Sequence, residues 1–150
     1  MIEIFETDDY SELVRFFIEN GLEFTDEDIP EDNEVPEPIV KLWKAVDTEN
    51  GSLVGGCVLA KREGEFICDG IATDPSVRGQ RLGEKLLFTM EDEARSLGAS
   101  SMYLVARAPG FFKKYDFLPV PREEAPEFFE CFTCPQYGVS CHPEVMRHSL

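Results

Sequence analysis

Apolar residues change their spacing along this chain in an order that reads as strands interrupted by helices. Met1 to Phe5 alternates apolar and polar like a strand with one buried face. Tyr10, Leu13, Val14, Phe17 and Ile18 then recur at helical spacing behind Thr7, a residue type that caps helix N-termini, and Gly21 ends the helix. Val40 to Val46 and Leu53 to Lys61 read as strands joined by a turn at Asn50-Gly51, and Arg62-Glu63-Gly64 turns the second into a third strand, Glu65 to Thr73. Those three strands form an antiparallel meander on which Trp43 is a core residue. Gly55-Gly56 within a strand predicts a bulge or a close backbone approach. Leu82, Leu86, Leu87, Met90, Ala94 and Leu97 make one face of a helix ended by Gly98, after which Ser101 to Ala106 returns parallel to Glu65–Thr73 by a right-handed crossover. Pro109 to Tyr115 reads as a short helix, Phe117 to Val120 as a short strand and Glu144 to Leu150 as a closing strand.

The stretch from Thr73 to Leu87 organises the rest. A strand runs into a Pro turn and a glycine-bearing loop that opens the long helix, and unpaired N–H groups of a first helical turn make an anion site there. Gly79 and Gly83 are expected to let a ligand's phosphates approach the main chain. Arg78 and Arg81 flank the opening and can add charge-assisted hydrogen bonds of about 1.5–3 kcal/mol each.

This loop resembles the coenzyme A pyrophosphate loop of the GNAT superfamily of acyl-CoA N-acetyltransferases. Their pattern is Arg or Gln, two residues, Gly, one residue, then Gly or Ala; Arg78 fills the first position, Gly83 the last, and Arg81 stands at the middle Gly. A side chain there is tolerated if the residue has ordinary helical dihedrals, since Gly is needed only for positive φ or close backbone approach. Phe111-Phe112-Lys113-Lys114-Tyr115-Asp116-Phe117 resembles the superfamily's Phe-Tyr-x-Lys-x-Gly-Phe segment, with Phe112 for Tyr and Asp116 for Gly. The resemblance implies an α/β (α+β) fold of residues 1–150. Its sheet is mixed and mostly antiparallel, with a parallel β-α-β crossover at the acyl-CoA site and helices on both faces. It also implies that the parallel strands splay to admit the pantetheine arm. Acetyl-CoA would be held by Ile71, Ala72 and Thr73, by Arg78, Gly79, Gln80, Arg81, Leu82 and Gly83, and by Phe111 and Lys114.

Charge narrows the partners. With 14 basic and 30 acidic residues the formal charge is −16, which repels nucleic acid and favours a cationic small molecule. Coenzyme A is an anion, so Arg78, Arg81, Lys113 and Lys114 are needed to make its site locally basic. Leu22 to Pro38 carries eight carboxylates and no basic residue; it reads either as an acidic funnel for an amine or as a solvated loop. No stretch reaches the length of a membrane span, the start lacks a signal-peptide pattern, and five cysteines fit a reducing cytoplasm.

The tail holds Cys131, Cys134 and Cys141, a spacing that could assemble zinc or equally bury three small apolar side chains. It resembles the C-terminal part of short N-acetylglutamate synthase-like acetyltransferases in Phe111, Phe112 and Lys114, Arg122, Glu123 and Glu124, and the three cysteines with Pro135. Those synthases commonly carry a basic residue at the position aligned with Asp69, where a carboxylate would repel glutamate. A small-molecule amine is therefore the expected acceptor, with the chain a monomer or homodimer as in the superfamily.

Alternation places Glu65, Ile67, Asp69, Ile71 and Thr73 on one strand face. The superfamily's Glu base aligns with Ile67, leaving Asp69 and Glu65 to take the amine proton. The N–H near Ala72 is the carbonyl polariser implied by the resemblance. Phe112 cannot protonate the leaving thiolate, and Tyr115 is the nearest substitute. The competing readings are a non-catalytic acyl-CoA-binding or regulatory module, motivated by the residues at 67, 81 and 112, an N-acetylglutamate synthase-like enzyme, and a metal-binding interaction protein.

Overall fold

A computed structural model describes residues 1–20, 35, 39–62, 64–77, 80–106, 109–120 and 144–150. The acidic connection (apart from Val35), Arg78 and Gly79, and the cysteine tail from residue 121 to 143 lie outside the described residues. Strands β1 (Ile2–Thr7), β2 (Ile39–Asp47), β3 (Ser52–Arg62), β4 (Glu65–Thr73), β5 (Ser101–Ala106), β6 (Leu118–Pro119) and β7 (Glu144–Ser149) join in one sheet of order β1-β2-β3-β4-β5-β7-β6. The β4–β5 pair is parallel and all the others are antiparallel.

Helix α1 (Tyr10–Glu19) covers one sheet face. Its Leu13, Val14 and Phe17 are fully buried on Leu42 and Val58. The cap is Asp9 rather than Thr7: Asp9 Oδ1 accepts the Glu12 N–H at 3.1 Å, while Thr7 ends β1 and its hydroxyl accepts the Asp9 N–H at 3.1 Å. Helix α2 (Leu82–Ser96) covers the other face. Leu86, Leu87, Met90 and Ala94 pack there on Cys57, Leu59, Phe66, Cys68, Met102 and Met146. Each large apolar side chain so buried contributes about 1.5–3 kcal/mol. Leu97, expected on the same stripe, is exposed because the helix stops at Ser96 and Gly98 turns the chain away with φ of 89°.

Gly55 and Gly56 serve close approach. A Cβ at Gly55 would stand 2.9 Å from Leu82 Cδ2 on the α2 face, and one at Gly56 would stand 2.5 Å from Leu13 Cδ2 on the α1 face. Two bare backbone positions let both helices sit down on β3. Helix α3 (Pro109–Lys113) stops two residues short of the expected Pro109 to Tyr115, and β6 is a two-residue edge strand. No helix among the described residues is long and apolar enough to cross a membrane.

Candidate active site

Strand β4 pairs with β3 from Arg62–Glu65 to Gly55–Thr73, but with β5 only at Phe66–Met102 and Ile67–Tyr103. Beyond Ile67 the two parallel strands diverge, and β5 pairs with β7 along all six of its residues. A gap therefore opens between the carboxyl halves of β4 and β5. Which main-chain groups line it follows from one hydrogen bond, the Asp74 N–H donated to Val54 O at 2.8 Å. By antiparallel alternation Ala72 also faces β3, opposite Gly56, and the N–H and C=O of Ile71 and Thr73 point into the gap.

The register changes once on the way. Val58 pairs with Gly70 and Leu59 with Cys68, so Asp69 is the extra residue of a bulge. The bulge sets Asp69 and Gly70 in succession on the α1 face and corrects the expected alternation. Glu65, Ile67 and Asp69 share the α1 face, whereas Ile71 and Thr73 lie on the α2 face. Asp69 does not present a lone carboxylate. Arg62, opposite Glu65 in register, donates from Nη1 to Asp69 Oδ1 at 2.8 Å, and both side chains are largely buried. This pair offsets the charge on which repulsion of an acidic acceptor was expected. Glu65 stands at the far end of the strand, about 20 Å from Ile71 at 3.3 Å per residue, with the β4–β5 pairing between it and the gap.

From the end of β4 the chain passes a 3₁₀ turn (Pro75–Val77), where Asp74 Oδ1 accepts the Ser76 N–H at 2.9 Å. Gln80 is exposed, with its N–H donated to Val77 O. Arg81, at the helix N-cap, has φ 59° and ψ 28°, a left-handed conformation, so the condition of ordinary helical dihedrals is not met. That conformation costs a non-glycine residue roughly 1–2 kcal/mol. Its side chain does not cap the helix. The first intrahelical bond runs from the Lys85 N–H to Arg81 O, so the N–H groups of Leu82, Gly83 and Glu84 precede it and form the anion-directed end of α2.

Gly83 departs from its expected use. A Cβ there would meet Phe111 Cζ at 3.2 Å, so the missing side chain admits the α3 ring against α2. Phe111 in turn contacts Phe112 with centroids at 5.0 Å and Tyr115 at 5.2 Å, and Tyr115 meets Phe88 edge-on at 5.6 Å. Tyr115 lies in the turn after α3, not on its helical face. With Lys114 it lines an open cavity of about 680 Å³ whose floor includes Glu91 of α2 and His148 of β7. Lys114 itself is exposed.

The structure thus brings together Ile71, Thr73, Gln80, Arg81, Leu82 and Gly83 around the β4–α2 junction, with Phe111 behind them and Asp69 on the opposite sheet face. Glu65 and Tyr115 are not brought into this group. Arg62, Glu91 and His148 were missed by sequence reasoning. Parity from the Arg62-Glu63-Gly64 turn places Arg62 on the face of Asp69 and could have flagged it; nothing local marks the other two. Among the described residues there is no cluster of three metal-binding side chains, and Cys131, Cys134 and Cys141 lie outside them.

A mixed sheet with a single splayed parallel pair, its crossover helix opening at the splay, defines the class of this protein. Residues 7–117 match the family model described as Acetyltransferase (GNAT) family, and the chain belongs to that family. Among solved structures it is similar to an acetyltransferase of the GNAT family from Staphylococcus aureus, with TM-score 0.75, 17% identity, and coverage of 100% of this chain and 99% of that one. It is also similar to N-acetylglutamate synthase from Neisseria gonorrhoeae complexed with coenzyme A and N-acetyl-glutamate, with TM-score 0.74, 19% identity, and coverage of 100% of this chain and 35% of that longer one. A third is the ribosomal-protein-S18-alanine N-acetyltransferase from Escherichia coli, with TM-score 0.67, 16% identity, and coverage of 98% and 91%. No curated protein matches the chain in sequence.

Proposed function

We propose that this protein is an acetyl-CoA-dependent N-acetyltransferase acting on a small-molecule amine. The observation that carries the reading is the splay of β4 from β5. It leaves hydrogen-bonding main chain directed at a gap beside the N-terminus of α2. Unpaired strand edges of this kind need a polar partner, and an amide-bearing pantetheine arm is one. The N–H groups of Leu82, Gly83 and Glu84 and the guanidinium of Arg81 receive the pyrophosphate. The neisserial structure, which holds coenzyme A on a similar fold, supports the fit.

Acetyl-CoA supplies an acyl group activated as a thioester. The Ile71 N–H, in place of Ala72, polarises the carbonyl oxygen, as fixed donors do for developing oxyanions. Asp69 meets the amine from the α1 face. Because its carboxylate is already engaged by Arg62 it does not act as the base; it accepts a hydrogen bond from the acceptor amine, and the amine proton leaves through water. Tyr115 is packed between Phe88 and Phe111, and water also serves the departing thiolate.

The −16 charge favours a cationic amine by steering. The Arg62–Asp69 pair supports a second reading, an amino acid acceptor whose amine faces Asp69 and whose carboxylate faces Arg62. Release of free coenzyme A across a panel of polyamines and amino acids decides between them. Tight acetyl-CoA binding by calorimetry without transfer to any amine would instead identify a binding module, and absence of both would overturn the assignment.

A further inference from the structure

At the foot of the splay a row of paired residues crosses from β4 to β7. Ile67 of β4 pairs with Tyr103 of β5, and Tyr103 pairs with Arg147 of β7. Residues paired in register leave the sheet on the same side, so Ile67, Tyr103 and Arg147 share the α1 face. Asp69 follows Ile67 on that face, where the two parallel strands begin to diverge. The row therefore connects β7 to the carboxylate that meets the acceptor amine.

Cations on the strands beside the gap are few, and their positions sort them. Lys61 lies on the α2 face, its Nζ 5.1 Å from the centroid of the Phe66 ring. Arg62 is on the α1 face but already donates to Asp69 at 2.8 Å. Arg147 is exposed, and its guanidinium carbon stands over the Tyr103 ring, 6.0 Å from the centroid. Tyr103 itself is only 8% exposed, so its ring is a fixed platform that holds the long arginine side chain on this row. A guanidinium placed over a ring uses its face there and keeps its edge N–H groups to donate to an anion. Among the described residues no carboxylate stands within ion-pair distance of Arg147.

We propose that Arg147, held on Tyr103, is a specificity-determining residue of the acceptor site, and that the acceptor is an amino carboxylate whose carboxylate lies several bonds from its amine. This rests on the acyl-transfer reading above, with the amine at Asp69 and the carboxylate at Arg147. Strands β4 and β7 are two strand spacings apart, about 10 Å, and the Arg147 side chain shortens that span by reaching over β5 between them. An α-carboxylate sits too close to its own amine to cover the remainder, whereas an ω-amino carboxylate covers it. Such a molecule is a zwitterion, so the −16 charge of the chain does not repel it as it would a net anion.

The test measures release of free coenzyme A with glycine, γ-aminobutyrate and ε-aminocaproate, and with butylamine and hexylamine as their matched amines without a carboxylate. Wild type, Arg147→Gln and Arg147→Lys are compared, each checked for folding by thermal unfolding. In wild type, kcat/KM should favour an ω-amino carboxylate over its matched alkylamine and over glycine by about tenfold or more, the scale of one charge-assisted contact. Arg147→Gln should abolish that preference through a raised Michaelis constant, with kcat falling far less. Arg147→Lys keeps the charge without the planar fork and should retain part of the preference. No wild-type preference for the carboxylate, a preference for glycine, or an equal loss on carboxylate and alkylamine in Arg147→Gln overturns the proposal. If no amine releases coenzyme A, the acyl-transfer reading fails, and calorimetric titration of ε-aminocaproate decides the subsite by itself. Binding that is lost in Arg147→Gln then sustains it, and absence of binding to wild type overturns it.

Discussion

Along its β3 edge, strand β4 is paired from Glu65 to Thr73, whereas along its β5 edge it is paired, among the described residues, only at Phe66 and Ile67. Both edges belong to the same residues. The closed edge is built from hairpin neighbours, and glycines at 55, 56 and 70 let the helices press on both faces. The open edge comes from a crossover in which α2 intervenes, so side-chain packing, not backbone pairing, holds the partner strand. The comparison teaches that the candidate site is made by withholding hydrogen bonds, with the lost cohesion replaced by a core of Met102, Leu104, Phe117 and Met146 beneath α2.

If packing replaces pairing on the open side, Phe117→Ala should be the most damaging single change, since its fully buried ring joins α2, α3 and β7. A loss of about 3–5 kcal/mol in urea unfolding is expected. On the closed side, Gly56→Val forces a side chain into Leu13 and should cost about 1–3 kcal/mol by the same measurement. Reversal of this order would mean that the meander, not the seam, limits stability.

Changes at the gap should affect binding before stability. Gly83→Glu adds negative charge at the anion-directed helix end and displaces Phe111, so coenzyme A affinity measured by calorimetry should fall by about tenfold or more in a still-folded chain. Asp69→Asn should raise the Michaelis constant for a good amine several-fold while the maximal rate persists, and a drop of about 100-fold in kcat would make Asp69 the general base instead. The smallest effect belongs to Arg81→Gly. Relief of the left-handed backbone, less the extra chain entropy of glycine, should gain about 0.5–1 kcal/mol of stability while weakening coenzyme A binding.

How much of this was written in the sequence depends on range. Periodicity over ten or fifteen residues placed the strands of the meander, the α2 stripe, the crossover and the loop that opens α2, because each of these patterns is set by local backbone geometry. The same reasoning erred where a neighbour decided the outcome. Thr7 gave way to Asp9 when β1 ran two residues further, and the face shared by Glu65 through Thr73 was broken by a bulge that only pairing with β3 reveals. Arg81 took the left-handed conformation, and Phe111 filled the space at Gly83.

By itself the sequence determined the order of elements, the acidic balance and the chemistry available at the head of α2, all of them properties of residues close together along the chain. Only the tertiary structure decided the splay, the pairing of Arg62 with Asp69 and the burial of Glu91 beside His148. The last of these joins residues 57 positions apart, and no local pattern constrains which side chains meet once distant elements share a core.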